Sequence, residues 1–379
     1  MMFSSMDAPA TLDELPTPCL LLDLDVVERN LRRMAARAAA LGVALRPHGK
    51  THKCVELAER QRALGAAGIT VSTLYEARVF AGHGCTDITW AFPVILSRLA
   101  EVGELASRIT LRVTADSPEA VDALARTAER DRPLHVWLKV DCGYHRAGID
   151  PAAPQSVRLA AAIAGSPALV FDGILSHSGH AYHGRSREEI AAIAEEERAV
   201  MTGFAARLRA AGIPVPAVSV GSTPAMSAVA HLDGVSEARP GNYVFHDFTQ
   251  VALGSCAVRD CGVTVLASVV SHRPGDEQAV VDAGALALSK DAGPDHPERE
   301  TMGEIFDDYG AGSLHPHRRL VSLSQEHGIV TAADGAALPV GARVRILPNH
   351  SCLTVACFDE YCVVRGAEVV DRWKIWRGR

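Results

Sequence analysis

Residues 43–72 read VALRPHGKTHKCVELAERQRALGAAGITVS, and their texture decides the fold. Val43–Arg46 is a short apolar run of strand length. Lys53–Ala66 carries helical spacing, and Gly68–Ser72 is a second short apolar run. A strand, a helix and a strand in immediate succession return the chain to the same edge, so the two strands run parallel. Parallel strands are covered on both faces, which is why these runs are apolar throughout and do not alternate.

The same unit recurs on both sides. Upstream, the apolar run Leu20–Asp23 precedes Leu24–Leu41, where Val26, Val27, Leu31, Met34 and Ala38 share one face with arginines opposite. Downstream, Tyr75–His83 is a helix and Ile88–Phe92 a strand that stops at Pro93. Ile109–Val113, Val136–Val140, Val170–Leu175 and Ala217–Val220 continue as buried strands, with helices between them, clearest at Glu188–Ala211. About eight such units predict an α/β fold, a (β/α)8 TIM-like barrel. From Val251 onward the texture changes. Val263–His272, Gln278–Asp282, Arg343–Leu347 and Val363–Trp376 have strand character without long helices between them. The expected organisation is a barrel over 24–250 and a second, mainly β domain built from 1–23 and 251–379.

Composition narrows the function classes. The chain has 379 residues, 48% of them hydrophobic, and a formal net charge of -7. That balance excludes the basic face a nucleic-acid binder needs. No run near the length of a membrane span is free of charges or of Gly and Pro, so no membrane partner is expected. Met1 to Ala10 lacks a basic start and a long apolar run, so no secretory leader is expected there. The nine cysteines, at 19, 54, 85, 142, 256, 261, 352, 357 and 362, form no CxxC pair. They read as reduced thiols of a cytoplasmic protein, not as a disulfide framework.

In such a barrel, catalytic groups sit at the C-terminal ends of strands. Four motifs fall there, after Leu45, Val140, Leu175 and Val220. After Leu45 comes Arg46-Pro47-His48-Gly49-Lys50-Thr51-His52-Lys53. A lysine in a partly dry pocket gains a neutral, nucleophilic amine suited to Schiff-base chemistry, which makes Lys50 a candidate. The loop equally fits a solvated basic turn or an anion site. In Ser219-Val220-Gly221-Ser222-Thr223-Pro224, the hydroxyls of Ser222 and Thr223 and the backbone amides suit a phosphate. Arg239-Pro240-Gly241-Asn242-Tyr243 offers a second set of amides. Both also read as ordinary capped turns. His177, His180, Tyr182 and His183 offer acid–base groups or metal ligands, and Gly179 and Gly184 argue against a helix there. The same segment fits a loop with surface histidines. In Pro348-Asn349-His350-Ser351-Cys352, extended backbone would put His350 and Cys352 on one face. Imidazole plus thiolate is a zinc-preferring pair that leaves positions open for water or substrate. A buried cysteine beside a structural histidine fits it as well.

Taken together, these motifs resemble a known family. The chain is similar to the fold-type III pyridoxal-phosphate (PLP) enzymes related to alanine racemase, and closely to their D-serine dehydratase / D-threonine aldolase branch. The resemblance rests on Leu15-Pro16-Thr17-Pro18-Cys19, the Arg46–Lys53 loop, Gly68-Ile69-Thr70-Val71-Ser72-Thr73 and Ser219–Pro224. It continues through Ser324-Gln325-Glu326-His327-Gly328 and Pro348–Cys352, so it spans nearly the whole chain. It implies that Lys50 carries PLP as a Schiff base and moves the α-proton. Ser222, Thr223, Gly241, Asn242 and the adjoining Tyr243 would hold the phosphate, Arg239 would face the pyridine nitrogen, and Arg146 would approach the phenolic oxygen. His177 and Tyr182 would line the cofactor. His350 and Cys352 would bind a divalent metal, Zn²⁺ or Mn²⁺, close to the substrate hydroxyl. A homodimer is also implied.

Within the branch, His-x-Cys and the Ser-Val-Gly-Ser-Thr-Pro loop look more like the dehydratases of D-serine and D-threo-3-hydroxyaspartate, whereas the aldolases tend to show His-x-Asp. The implied reaction is β-elimination of water from a D-3-hydroxy amino acid, giving a 2-oxo acid and ammonia. The nearest alternative is aldol cleavage to glycine and an aldehyde, with His177, His180 or His183 as base. A racemase leaves the metal pair without a purpose, and a non-catalytic PLP-binding protein leaves the β domain without one. A substrate β-carboxylate would need a cation, for which Arg46 and His183 are candidates.

Overall fold

The computed structural model describes residues 11–129, 131–273, 275–293, 301–331 and 338–379. The stretch Met1 to Ala10, read above for a leader, lies outside them. The strands among the described residues are, in chain order, β1 (Cys19–Asp23), β2 (Ala44–Leu45), β3 (Ile69–Val71), β4 (Asp87–Pro93), β5 (Thr110–Ala115), β6 (Leu134–Lys139), β7 (Leu169–Leu175), β8 (Ala217–Val220), β9 (Glu237–Ala238), β10 (Val263–His272), β11 (Gln278–Val281), β12 (Gly303–Asp308), β13 (Ser313–Leu323), β14 (Gly328–Thr331), β15 (Arg343–Leu347), β16 (Glu360–Arg365) and β17 (Glu368–Lys374). The helices used below are α1 (Leu24–Ala40), α2 (Val55–Ala63), α3 (Arg187–Ala210), α4 (Thr223–Ala228) and α5 (Ser351–Val355). Two compact units emerge: Leu31–Tyr243 with Trp376–Arg379, and Met1–Asn30 with Val244–Ile375. No helix among the described residues is long and apolar enough to cross a membrane.

The first unit is the barrel. Eight strands lie in the order β2-β9-β8-β7-β6-β5-β4-β3, and every pairing is parallel. A parallel bridge between His48 and Thr70 closes the ring, backed by Gly49 N–H to Thr70 O at 2.8 Å. The α/β barrel expected from the sequence is therefore present. Its shortest strands, β2 and β9, hold two residues each, too few for periodicity to signal. The helix expected over Lys53–Ala66 is shorter, Val55–Ala63. Lys53 is left-handed at φ 48 and Gly65 at φ 89, so neither end can continue a right-handed helix.

A chain of ion pairs links the barrel strands. Arg46 pairs with Asp87 and with Glu237, both at 2.6 Å. Asp87 also pairs with Arg112 at 3.0 Å, Arg112 with Asp172 at 2.8 Å, and Asp172 with His135 at 2.8 Å. Each charge is compensated, which is the condition for burying it. Arg46 is 4% exposed and committed to two carboxylates, so it is not a free cation for a substrate carboxylate. His183, the other candidate for that task, lies on the exposed surface.

The second unit is mainly β. Its nine strands run β11-β14-β13-β12-β15-β10-β1-β16-β17, and an additional β10–β11 pairing closes six of them into a ring. β1 lies antiparallel to β10 and parallel to β16. Leu15, Cys19, Leu21, Leu266, Cys362 and Val364 form one apolar face over these strands. β12, β13 and β14 gave no usable sequence pattern. β13 contains Leu314-His315-Pro316-His317-Arg318-Arg319, a mostly polar stretch that is partly open to solvent. None of the nine cysteines is in a disulfide.

Candidate active site

The Arg46–Lys53 loop is not a solvated turn. Thr51 and His52 are fully buried, and burial pushes the His52 imidazole down to about 4. The loop is fastened by His48 N–H to Pro240 O at 3.0 Å and by Lys53 N–H to Gly49 O at 2.8 Å, while the Lys53 ammonium pairs with Glu76. A side chain at position 49 would strike Ile69 and Phe80 at 2.9 Å, so glycine there lets the loop lie against the barrel wall. These contacts present Lys50, half-buried, at the end of β2.

Across from it lies a cradle with two walls. Gly221 (φ 117), Ser222 and Thr223 follow β8, and Gly241, Asn242 and Tyr243 follow β9. Ser222 caps α4 by accepting from Ala225 N–H at 3.3 Å, and Thr223 Oγ1 accepts from Tyr243 N–H at 3.1 Å. Each hydroxyl therefore accepts locally and keeps its own hydrogen for another acceptor. The Tyr243 phenol accepts from Gln61 Nε2 at 3.0 Å, which anchors the second wall to α2. A Cβ on Gly241 would lie 2.9 Å from both His48 Cβ and Thr51 Oγ1, so this wall touches the lysine loop directly. Arg239 is buried and donates to Ser219 Oγ and to Ser176 O. Ser219 in turn donates to Glu237 at 2.6 Å.

The loops after β6 and β7 complete the rim. His177 Nδ1 lies 3.1 Å from Gly221 O. Tyr144, which no sequence pattern marked, packs edge-on to His177, stacks on His180 and carries the Arg146 guanidinium at 4.9 Å. Gly179 makes that packing possible, because a Cβ there would fall 2.2 Å from the Tyr144 ring. Residues 179–183 form a short 3₁₀ turn, a correction to the expectation that Gly179 and Gly184 argue against a helix here. Tyr182 is half-buried in that turn. Desolvation and then the Lys50 charge hold His48 and His177 well below the ordinary imidazole range, so both are neutral. Lys139, at the end of β6 and 5% exposed, is pushed down to about 8 by burial and by Arg239 and Arg146. Lys50, Lys139, Arg146 and Arg239 thus converge on one electropositive region with neutral imidazoles among them.

In the β unit, His350 and Cys352 also meet, though not on extended backbone. His350 is the extended N-cap residue of α5, and Cys352 lies inside that short helix. The chain turns after Pro348-Asn349, where Asn349 donates to Asp291 O at 3.0 Å and Thr301 O at 2.6 Å. His350 Nδ1 lies 2.9 Å from Asp291 Oδ2. Burial opposes its charge, but Cys352 and Asp291 prevail and raise the imidazole to about 11. Among the described residues, no group of three or more His, Cys, Asp or Glu is arranged to hold a metal.

The alanine racemase N-terminal domain family matches residues 22–247, more than half of the chain. The chain belongs to the alanine racemase-like family. A serine dehydratase domain family matches 262–364 of this member. The chain is similar to D-threo-3-hydroxyaspartate dehydratase of Delftia sp. (strain HT23), 40% identical over 97% of this chain and 99% of that one. The solved structure of that enzyme superposes with a TM-score of 0.90 over 98% of this chain and 100% of that one, and a variant of it has been solved in a metal-free form. D-serine dehydratase of Dictyostelium discoideum is 37% identical, covering 96% and 97% of the two chains. D-threonine aldolase from Filomicrobium marinum is 32% identical, with TM-score 0.86 and 97% coverage of both chains. As a member of this family the chain is a PLP-dependent lyase.

The barrel residues fit that cofactor. The hydroxyl hydrogens of Ser222 and Thr223, each left over after its oxygen has accepted locally, and the cations around Lys50 match an anionic ligand. His350 and Cys352 fit a divalent metal by donor chemistry. With Nδ1 engaged by Asp291, Nε2 is the nitrogen left for an ion, the usual arrangement of a carboxylate-oriented histidine ligand.

Proposed function

We propose that the chain is a dehydratase that removes water from a small D-3-hydroxy amino acid, such as D-serine, D-threonine or D-threo-3-hydroxyaspartate, to give a 2-oxo acid and ammonia. The observation that carries the reading is the His350–Cys352 pair, a nitrogen–sulphur donor set in a chain whose barrel gathers cations around Lys50.

When bound, PLP supplies the electron sink for charge at the substrate α-carbon, and a divalent metal on His350 and Cys352, Zn²⁺ or Mn²⁺, supplies Lewis acidity toward a hydroxyl leaving group. Lys50 would hold the cofactor through Nζ, and the same nitrogen would take the substrate α-proton. Ser222 and Thr223 would donate hydroxyl hydrogens to its phosphate, with Gly241, Asn242 and Tyr243 bordering it. Arg239, a guanidinium that donates and does not accept, would disfavour protonation of the pyridine nitrogen. Arg146 would offset the charge of the phenolic oxygen, and His177 and Tyr182 would line the cofactor. Losing the α-hydrogen and the β-hydroxyl makes one water, and hydrolysis of the resulting enamine releases ammonia.

A second reading is aldol cleavage, favoured by the neutral His177, which can accept a proton from a β-hydroxyl. A homodimeric state and a cytoplasmic location accompany either reading. Reduction of the cofactor-loaded protein with borohydride tests the lysine assignment. PLP should become fixed to the peptide containing Lys50, with no fixation or turnover in Lys50→Ala. Wild-type turnover by Lys50→Ala would exclude Lys50 from the chemistry.

A further inference from the structure

α3 carries several acidic residues that face solvent, but Glu197 is 2% exposed. Its carboxylate points inward and gathers donors from the ends of three adjacent strands. Ser176 Oγ donates to Oε1 at 2.7 Å, Ser178 N–H to Oε1 at 3.1 Å, and Ser178 Oγ to Oε2 at 2.7 Å. Gly221 N–H donates to Oε1 at 3.4 Å, and Cys142 Sγ donates to the same oxygen at 3.9 Å. Ser176 and Ser178 are the two chain neighbours of His177. Gly221 is the residue whose carbonyl lies 3.1 Å from His177 Nδ1. One carboxylate therefore holds the backbone on both sides of His177 and also the residue that its ring contacts.

The contact with Gly221 has a chemical consequence. A carbonyl oxygen only accepts, so His177 Nδ1 must carry the hydrogen. In a neutral ring the lone pair then resides on Nε2. Rotating Gly221 or sliding His177 would free the ring to take the other tautomer, and Glu197 restrains both movements.

We infer that Glu197 is a positioning residue that fixes His177 as the Nδ1–H tautomer and so makes Nε2 a standing hydrogen-bond and proton acceptor in the barrel pocket. The inference rests on that pocket being the cofactor site. A role limited to tying loops together would demand an acceptor there but would be indifferent to the tautomer.

The test uses full-length protein labelled with ¹⁵N-histidine, with and without PLP, and His177→Gln to assign the ring. Wild type should show a pyrrole-like Nδ1 and a pyridine-like Nε2. Glu197→Gln keeps an acceptor at Oε1, and the Ser178 hydroxyl can turn to accept, so it should retain that signature and at least about a tenth of kcat. Glu197→Ala and, as a milder second variant, Ser178→Ala should shift both nitrogens toward averaged values. Glu197→Ala should also lower kcat roughly 100-fold, the scale of a catalytic group displaced by about 1 Å, with a smaller change in KM. A folded Glu197→Ala or Ser178→Ala protein with wild-type His177 shifts and wild-type kcat overturns the inference. If the signature behaves as expected but wild type converts no D-3-hydroxy amino acid, the functional reading fails and the tautomer assignment stands.

Discussion

Gly241→Ala is a sharp steric probe of the pocket. Gly241 has no positive φ, so alanine strains no backbone there, and the whole effect must come from contact. The new Cβ would sit 2.9 Å from His48 Cβ, 2.9 Å from Thr51 Oγ1 and 3.0 Å from His48 O. Carbon atoms pack best at about 3.5–4.0 Å, so the two walls must part by roughly half an ångström or more. Nor can they slide apart freely, because His48 N–H is bonded to Pro240 O at 3.0 Å. Forcing one methyl into such a contact costs about 1–3 kcal/mol, or roughly 5- to 150-fold in an equilibrium constant. Lys50 lies on the wall that must move, so the cost should fall on cofactor binding. Titration of cofactor-free protein with PLP, followed by absorbance, reads it directly. Gly203→Ala in α3 is the control, since a Cβ there meets nothing within 4 Å. Wild-type PLP affinity and an unchanged Tm in Gly241→Ala would refute the contact between the lysine loop and the second cradle wall.

Other outcomes follow from the charged groups. Burial opposes ionisation of Asp87, but Arg112 and Arg46 hold its carboxyl below the ordinary 3.8. The associated stability is present above pH 4 and is lost as pH falls through the lowered value. Asp87→Asn should therefore flatten the acid limb and cost about 2 kcal/mol at neutral pH in urea unfolding, allowing for the partial exposure of Asp87. An unchanged acid limb would remove Asp87 from the network. Lys139 titrates near 8 in the fold against an ordinary 10.5. The unfolded chain thus binds more protons between these values, and stability of the cofactor-free protein should rise with pH across that window. Lys139→Met should abolish the rise and be more stable at pH 7 by an amount on the order of 3 kcal/mol, and a persisting rise would contradict the assignment. Cys352→Ala and His350→Ala should each reduce metal content in elemental analysis to trace levels. Full occupancy in both would remove the pair as the metal site.

The barrel was legible because its strands are short apolar runs separated by amphipathic helices, as over 43–72. β9 was not, because Glu237 and Ala238 are two residues with no period to detect, and β13 was obscured by its mostly polar stretch. Lys50, Ser222, Thr223 and Gly241 stood out by their place after strands. Arg46 stood in the same motif, yet its charge is spent on Asp87 and Glu237, a pairing that only three-dimensional proximity reveals. Lys139 ends a recognisable strand and could have been marked by position alone. Glu197 could not, since a run of three glutamates, Glu195 to Glu197, gives no sign of which one turns inward. Tyr144 became visible only through the space that Gly179 leaves for its ring. His350 and Cys352 meet across a helix cap and not along the extended backbone that the sequence suggested. The reason is that Asn349 ties the turn to Asp291 and Thr301.

Product analysis decides which bond the protein breaks. PLP-loaded protein is incubated with D-serine, D-threonine and D-threo-3-hydroxyaspartate, with and without a chelator. A metal-dependent dehydratase yields a 2-oxo acid and ammonia in equal amounts from at least one substrate, lost on chelation and restored by Zn²⁺ or Mn²⁺. Glycine and an aldehyde instead, or elimination that survives complete metal removal, would overturn that assignment.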